Sequence, residues 1–218
     1  MSDDFEGRLT GALEAHRPQE ITVPGARSAA VLIPIVLEPE PTLLFTVRTD
    51  TVSSHPGQIS FPGGSVDDTD PSRAAASVRE AEEEIGLDPS AVRLVGELDT
   101  FPTFVSGYVV TPFVGLLDDE PELTLNPAEV ARVLRVPVTS LSNEIRRGPG
   151  FTHDERTYPT EAWVWEDHVI WGVTARIVRQ FLEILGTAGI VDPPEGDGGW
   201  WLVPTGPPGP RTEPPSVI

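Results

Sequence analysis

Arg79-Glu80-Ala81-Glu82-Glu83-Glu84-Ile85-Gly86-Leu87, reached from a loop that begins at Gly63-Gly64, is the most informative stretch of the chain. Asp70 is a natural helix N-cap, Pro71 suits the first helical position and Gly86 a C-terminal stop, so a helix is predicted over residues 71–85. At about 100° per residue, Ala74, Val78, Ala81 and Ile85 fall within roughly 60° of one another and form a stripe that must face a core. Glu80, Glu83 and Glu84 fall within an arc of about 100° on nearly the opposite side, which reads as an exposed face, with Glu82 pointing to solvent. Three like charges on one face repel unless a cation intervenes, and a hard divalent ion such as Mg2+ takes oxygen donors of this kind. Arg79, four residues before Glu83, is placed to hold one carboxylate by hydrogen bonds.

A bare acidic run is by itself more simply a solvated helix face. This one, however, resembles the core of the Nudix box, R-E-U-x-E-E-x-G-U with U aliphatic or small, at every specified place, and Gly63-Gly64 lies where the box's leading glycines do. The general box places a Glu six residues after its leading glycine and eight before its Arg. Here Asp70 stands six after Gly64 and nine before Arg79, so the loop is one residue longer, with Asp substituting for Glu as a cap. Upstream, Leu43-Leu44-Phe45-Thr46-Val47-Arg48 followed by His55-Pro56-Gly57-Gln58-Ile59-Ser60-Phe61-Pro62-Gly63-Gly64 resembles the signature of the coenzyme A pyrophosphatase subgroup, except that Ser53 occupies its usual basic position. Ser106-Gly107-Tyr108-Val109-Val110-Thr111-Pro112-Phe113 and Val169-Ile170-Trp171-Gly172-Val173-Thr174-Ala175 are similar to stretches of bacterial members, so the likeness covers roughly residues 29–186.

The resemblance implies an α/β (α+β) Nudix fold, a mixed β-sheet sandwiched between helices, and metal-dependent attack of water on a diphosphate. It implies Glu80, Glu83, Glu84 and the Gly64 carbonyl as ligands of Mg2+ or Mn2+. Glu83, Glu84, Arg79 and Glu129 form the catalytic set, Glu129 lying in Asn126-Pro127-Ala128-Glu129-Val130 and serving either as a loop base or as a solvated Glu. Arg48, His55, Gly57, Phe61 and Gly63 form the substrate-binding set. On their own chemistry, Arg48 suits a phosphate partner or a strand-end salt bridge, His55 a loop hydrogen bond, and Phe61 the core. The two glycine sites, at 57 and 63–64, suit unusual backbone angles beside metal or phosphate. The implied substrate is a small nucleotide of the coenzyme A type. ADP-ribose, a dinucleotide or a modified nucleoside triphosphate are the alternatives within the family, and a ligand-binding module without turnover the alternative outside catalysis. Intact Glu80, Glu83 and Glu84 argue against the last.

The remainder of the chain frames this centre. With 218 residues, 39% of them hydrophobic, there is material for one domain with extensions. Acidic residues outnumber basic ones 34 to 15, and a net charge of -19 disfavours nucleic-acid or anionic-membrane partners. No cysteine is present, which removes thiolate chemistry and disulfides. No leader pattern or spanning segment is visible, so a cytoplasmic location is expected; self-association into a homodimer is left open. Phe5, Leu9 and Leu13 predict an amphipathic helix over residues 3–16. Strands are expected over 29–37 and 43–47, joined as a hairpin by Glu38-Pro39-Glu40-Pro41, and over 92–98, 108–116, 132–136 and 161–165, with a last helix over 173–185. Trp163, Trp165 and Trp171 read as core. The expected division is 1–28 as helix and lead-in, 29–190 as the Nudix domain, and 191–218 as a flexible Pro/Gly-rich tail that Trp200, Trp201 and Leu202 could anchor.

Overall fold

A computed structural model describes residues 2–49, 57–103, 106–141, 145–147, 151–153, 156–158 and 161–194. His55, Ser53 and nearly all of the expected tail lie outside them. The main sheet has eight strands: β1 (Arg27–Val36), β2 (Thr42–Arg48), β3 (Ile59–Ser60), β4 (Gly63–Ser65), β5 (Arg93–Glu97), β6 (Phe101–Pro102), β7 (Tyr108–Leu117) and β8 (Val130–Pro137). Their path runs β3-β2-β1-β7-β5, with β4 on β1, β6 on β7 and β8 on β2. The central pair, β1 with β7, is parallel along its whole length from Arg27↔Tyr108 to Val36↔Leu117, and its neighbours are antiparallel. Short strands β9 (Ile145–Arg147), β12 (Glu161–Trp165) and β13 (His168–Trp171) form a second sheet, and β10 (Phe151–His153) with β11 (Arg156–Tyr158) forms a hairpin.

Alternation along β1 explains why both faces are covered. Ala29, Ile33 and Ile35 point to a core built with Phe5, Leu9 and Leu13 of α1 (Ser2–Ala15) and with Ile177, Val178, Phe181, Leu182 and Leu185 of α3 (Gly172–Thr187). Leu32 and Val36, one residue out of phase, point to a smaller core with Ala81 and Ile85 of α2 (Arg73–Ile85). A strand side chain reverses face at each step, so a parallel centre requires helices on both sides. On the larger side, the Arg8 guanidinium donates to the Ala188 carbonyl at 2.9 and 2.7 Å, tying α1 to the end of α3. Trp163 is buried there and donates from Nε1 to the Ala175 carbonyl at 2.9 Å, whereas Trp165 and Trp171 are only half-buried.

One edge of β1 changes partner midway. Ile35 and Val36 pair with β2, while Ala29, Ala30 and Val31 pair with β4. That exchange brings the Gly63-Gly64 loop onto the sheet beside α2 rather than out into solvent.

The expected hairpin is present to within two residues, and the strands over 108–116 and 161–165 to within one. The start of α2 differs from the expectation: it begins at Arg73, and the N-cap is Ser72, whose side chain accepts from the Ala75 N–H at 3.1 Å. Asp70 is not the cap. Its carboxylate is drawn away by Arg79.

Candidate active site

The α2 helix is docked through Ala81 and Ile85, both fully buried, with Ala76 and Ser77 buried towards its start. Gly86 ends it in a left-handed conformation at φ 67, where its N–H returns to the Glu82 carbonyl. A Cβ there would lie 2.8 Å from the Thr124 carbonyl oxygen, so glycine is required both by backbone angle and by space.

The three glutamates do not share one environment. Glu83 is exposed, as is Glu82, but Glu84 is only 5% exposed and Glu80 only 16% at its side chain. The expectation of an exposed carboxylate face is therefore wrong for Glu84, because β4 and the segment ahead of β8 cover that side of the helix. Burial pushes the Glu84 carboxyl up to about 8; the Gly63 N–H bond opposes this, the Glu80 and Glu129 charges add to it, and Arg48 offsets part. The Glu80 carboxyl is also raised, chiefly by burial, against the lowering effect of Arg79. Two neighbouring carboxyls held above their usual range need a positive charge to ionise together.

Both glycines of the entry loop serve these carboxylates. The Gly63 N–H donates to Glu84 Oε2 at 3.2 Å, and with φ at 155 a Cβ on Gly63 would sit 2.4 Å from the Ala30 carbonyl oxygen. A Cβ on Gly64 would lie 2.6 Å from the Glu80 carboxyl carbon. Residue 64 thus has no space for a side chain while Glu80 keeps its place.

Arg79 organises the opposite flank. It makes a bidentate pair with Asp70, Nε to Oδ1 at 2.9 Å and Nη2 to Oδ2 at 3.0 Å, and donates to the Ser65 carbonyl at 3.1 Å. Its Nη1 reaches Glu83 Oε2 at 2.9 Å and Glu80 Oε1 at 3.0 Å. These contacts raise the guanidinium further above its ordinary value, with the Asp70 hydrogen bonds first among the causes. The same bonds, aided by the Asp67 N–H, hold the Asp70 carboxyl below the usual range. The longer loop thus delivers a short Asp side chain to the guanidinium.

Glu129 arrives from the far side. Thr49 N–H donates to the Glu129 carbonyl at 3.0 Å, and β8 pairs with β2 through a bulge at Val47/Arg48, placing Arg48 opposite Val130. The charges of Glu80, Glu129 and Arg48 all act on Glu84, and that of Glu129 acts on Glu80 as well. The structure thus gathers Arg48, Gly63, Gly64, Arg79, Glu80, Glu83, Glu84 and Glu129. It does not gather Phe61, which is 2% exposed and stacked on Phe45 with centroids 4.4 Å apart, so its assignment to substrate binding is replaced by a core role. Gly57 adopts φ 68 and donates its N–H to the Arg48 carbonyl at 3.2 Å, closing the β2–β3 connection. Asp70, Ser65, Thr49 and Asn126 were not anticipated as partners, although Asn126-Pro127 is itself a turn signature.

Among the described residues no set of three or more His, Cys, Asp and Glu side chains is arranged to hold a metal ion. Arg79 holds both Glu83 and Glu80, and the Gly63 N–H holds Glu84; Glu80 and Glu84 are the two that are shielded from solvent. Their chemistry nevertheless fits a hard cation: buried carboxylate oxygens that repel one another, beside a glycine backbone with no side chain in the way. No helix is long and apolar enough to cross a membrane among the described residues.

Fold and site together define a hydrolase frame, a two-sided mixed sheet with a glycine loop and carboxylate helix at the strand exchange of β1. The NUDIX domain family model matches residues 26–159, and the chain belongs to that family, whose members are metal-dependent hydrolases of pyrophosphate bonds. It is 42% identical over 188 residues to the uncharacterized Nudix hydrolase NudL of Photorhabdus laumondii, covering 83% of this chain and 95% of that one. It is 41% identical over 162 residues to NudL of Escherichia coli K12, covering 73% and 83%. Among solved structures it is similar to a Caenorhabditis elegans Ap4A hydrolase binary complex, at TM-score 0.42 and 18% identity over 50% of this chain and 80% of that one.

Proposed function

We propose that the protein hydrolyses the diphosphate bond of coenzyme A or its derivatives, giving 4′-phosphopantetheine and adenosine 3′,5′-bisphosphate. The observation that carries the reading is the continuity of the motif Leu43 to Gly64 with the site: its Arg48 acts on Glu84, and its Gly63 and Gly64 fit around Glu84 and Glu80. Water adds to one phosphorus, the bridging P–O bond breaks, and each half leaves as a phosphate monoester. Glu80 and Glu84 would hold Mg2+ or Mn2+, with Glu83 joining in exchange for its Arg79 contact and the Gly64 carbonyl as a backbone donor. A bound divalent ion supplies charge neutralisation on the diphosphate oxygens and acidifies water. Arg48 orients the substrate's phosphates, Arg79 fixes the glutamate rotamers, and Glu129 accepts the proton of the attacking water.

The test is a product-resolved panel of CoA, acyl-CoA, ADP-ribose, NADH and nucleoside triphosphates with Mg2+ or Mn2+. CoA or an acyl-CoA should be cleaved fastest, leaving the thiol end intact. Much faster turnover of ADP-ribose or a triphosphate would remove the coenzyme A assignment while leaving the family activity in place.

A further inference from the structure

The turn that leads into β8, residues 126–129, is held from two sides, by Asn126 and by Thr49. Asn126 donates its N–H to the Glu84 carbonyl at 2.9 Å. Its own carbonyl accepts from Glu129 N–H at 3.1 Å and Val130 N–H at 2.9 Å, and its Oδ1 accepts from Ala128 N–H at 3.1 Å. Asn at the first place of a turn and Pro at the second are the residues such a turn selects, the first for its side-chain acceptor and the second for its fixed φ. Two hydrogen bonds in series, through Asn126, therefore link the backbone of Glu84 to that of Glu129. On the other side Thr49 fastens the same turn to the end of β2, N–H to the Glu129 carbonyl at 3.0 Å and Oγ1 to the Ala128 carbonyl at 3.3 Å. Thr49 is 9% exposed, and Asn126 is half-buried.

We propose that Asn126, assisted by Thr49, is a positioning residue that sets the Glu129 carboxylate against the carboxylate helix, so that it governs turnover through Glu129 rather than by contact with substrate. This rests on the role given to Glu129 above, but not on which nucleotide is the substrate. The turn can do this because both its anchors are backbone groups of elements that carry the site: the last turn of α2 on one side, the end of β2 beside Arg48 on the other. Loss of the Oδ1 bond leaves the backbone links in place but frees Ala128 N–H and lets the turn relax, which moves Glu129 without removing it. Preorganisation of this kind acts on turnover far more than on binding.

The experiment is a double-mutant cycle on the full chain, using whichever nucleotide the substrate panel finds to be turned over, at saturating Mg2+. Asn126→Ala should lower kcat about tenfold with KM and melting temperature little changed, and Asn126→Asp, which keeps the acceptor oxygen, should restore most of the loss. Thr49→Val should act in the same direction. Glu129→Gln should cost more than either, and adding Asn126→Ala to it should cost little further. Parental kcat in Asn126→Ala, or the same tenfold loss repeated in the Glu129→Gln background, would overturn the proposal. Parental kcat in Glu129→Gln would overturn it together with the role of Glu129, leaving the substrate assignment to the panel. If Asn126→Ala melts much lower than the parent, Thr49→Val in the Glu129→Gln background decides by the same criterion.

Discussion

The two sides of the sheet are made of similar strands but carry different burdens. The side under α1 and α3 carries the larger apolar core, from Phe5 to Leu185: Leu9, Phe181 and Leu182 have no exposed surface at all, and the two arginines that α3 buries, Arg176 and Arg179, donate to the Pro102 carbonyl and to Glu183. The side under α2 has a smaller apolar cluster, and it buries Glu84 beside it at 5% exposure. One side gains stability from burial, at roughly 25 cal/mol per Å² of apolar surface. The other spends part of that stability on a carboxyl that would be better solvated. Stability and chemistry are thus divided between the faces, as expected where strained or poorly solvated groups collect at functional sites.

The largest effects should come from breaking that division on each side in turn. Glu84→Gln should lower turnover by more than the roughly 10–100-fold typical of groups behind metal ligands, while the melting temperature without metal stays level or rises. Leu182→Ala on α3 should do the reverse, costing about 2–5 kcal/mol in chemical denaturation with kcat near parental below its melting temperature. A large loss of stability in Glu84→Gln, or of kcat in Leu182→Ala, would show that the faces are not separable in this way.

A smaller effect concerns pH. The Glu84 carboxyl rises from 4.5 to about 8 on folding, so between those values the folded chain keeps a proton that the unfolded chain has released. Metal-free stability should therefore be greatest near and below pH 4.5 as far as this group is concerned, and should fall by a few kcal/mol as pH rises towards 8. Glu80, also raised, contributes with the same sign. Denaturation at a series of pH values, with Glu84→Gln as comparison, reads this directly: the variant should lose most of the slope. Mg2+ or Mn2+ should reverse the trend, raising the melting temperature more at pH 8 than at pH 6, beyond what a monovalent salt of equal ionic strength achieves. Glu80→Gln combined with Glu84→Gln should abolish that specific shift.

How much of this was legible beforehand follows the same division. Strand alternation and helical spacing are local patterns, and they sufficed for α3, the β1–β2 hairpin and all of α2 but its start; of the expected stripe, Ala81 and Ile85 are fully buried and Ala74 and Val78 half-buried. The box residues put forward Arg79, Glu80, Glu83 and Glu84 as the candidate centre, and the fold brings these four together. The helical wheel, however, only reports directions around one axis, and it could not reveal that β4 and the turn before β8 close over Glu84. Phe61 has the same ambiguity: only the tertiary stack on Phe45 distinguishes core from platform. Asp70 and Ser72 competed for one capping position, and the nearby guanidinium decided between them. The smallest predicted effect tests this. Ser72→Ala should cost about 1 kcal/mol of stability with kcat unchanged, whereas Asp70→Ala should leave the helix start intact and lower kcat by freeing Arg79.

The tie between Arg8 and the Ala188 carbonyl has a practical consequence for anyone trimming the protein. The family match begins at residue 26, but α1, Ser2–Ala15, closes the far wall of the larger core, and Gly96 on β5 lies bare against Leu13. Expressed from residue 26, the domain would present that wall to solvent as a continuous sticky surface and leave the Ala188 carbonyl at the end of α3 without its guanidinium. Aggregation during purification, rather than loss of catalysis, is the outcome to expect, and an affinity tag is better joined through a spacer ahead of Ser2 than in place of α1.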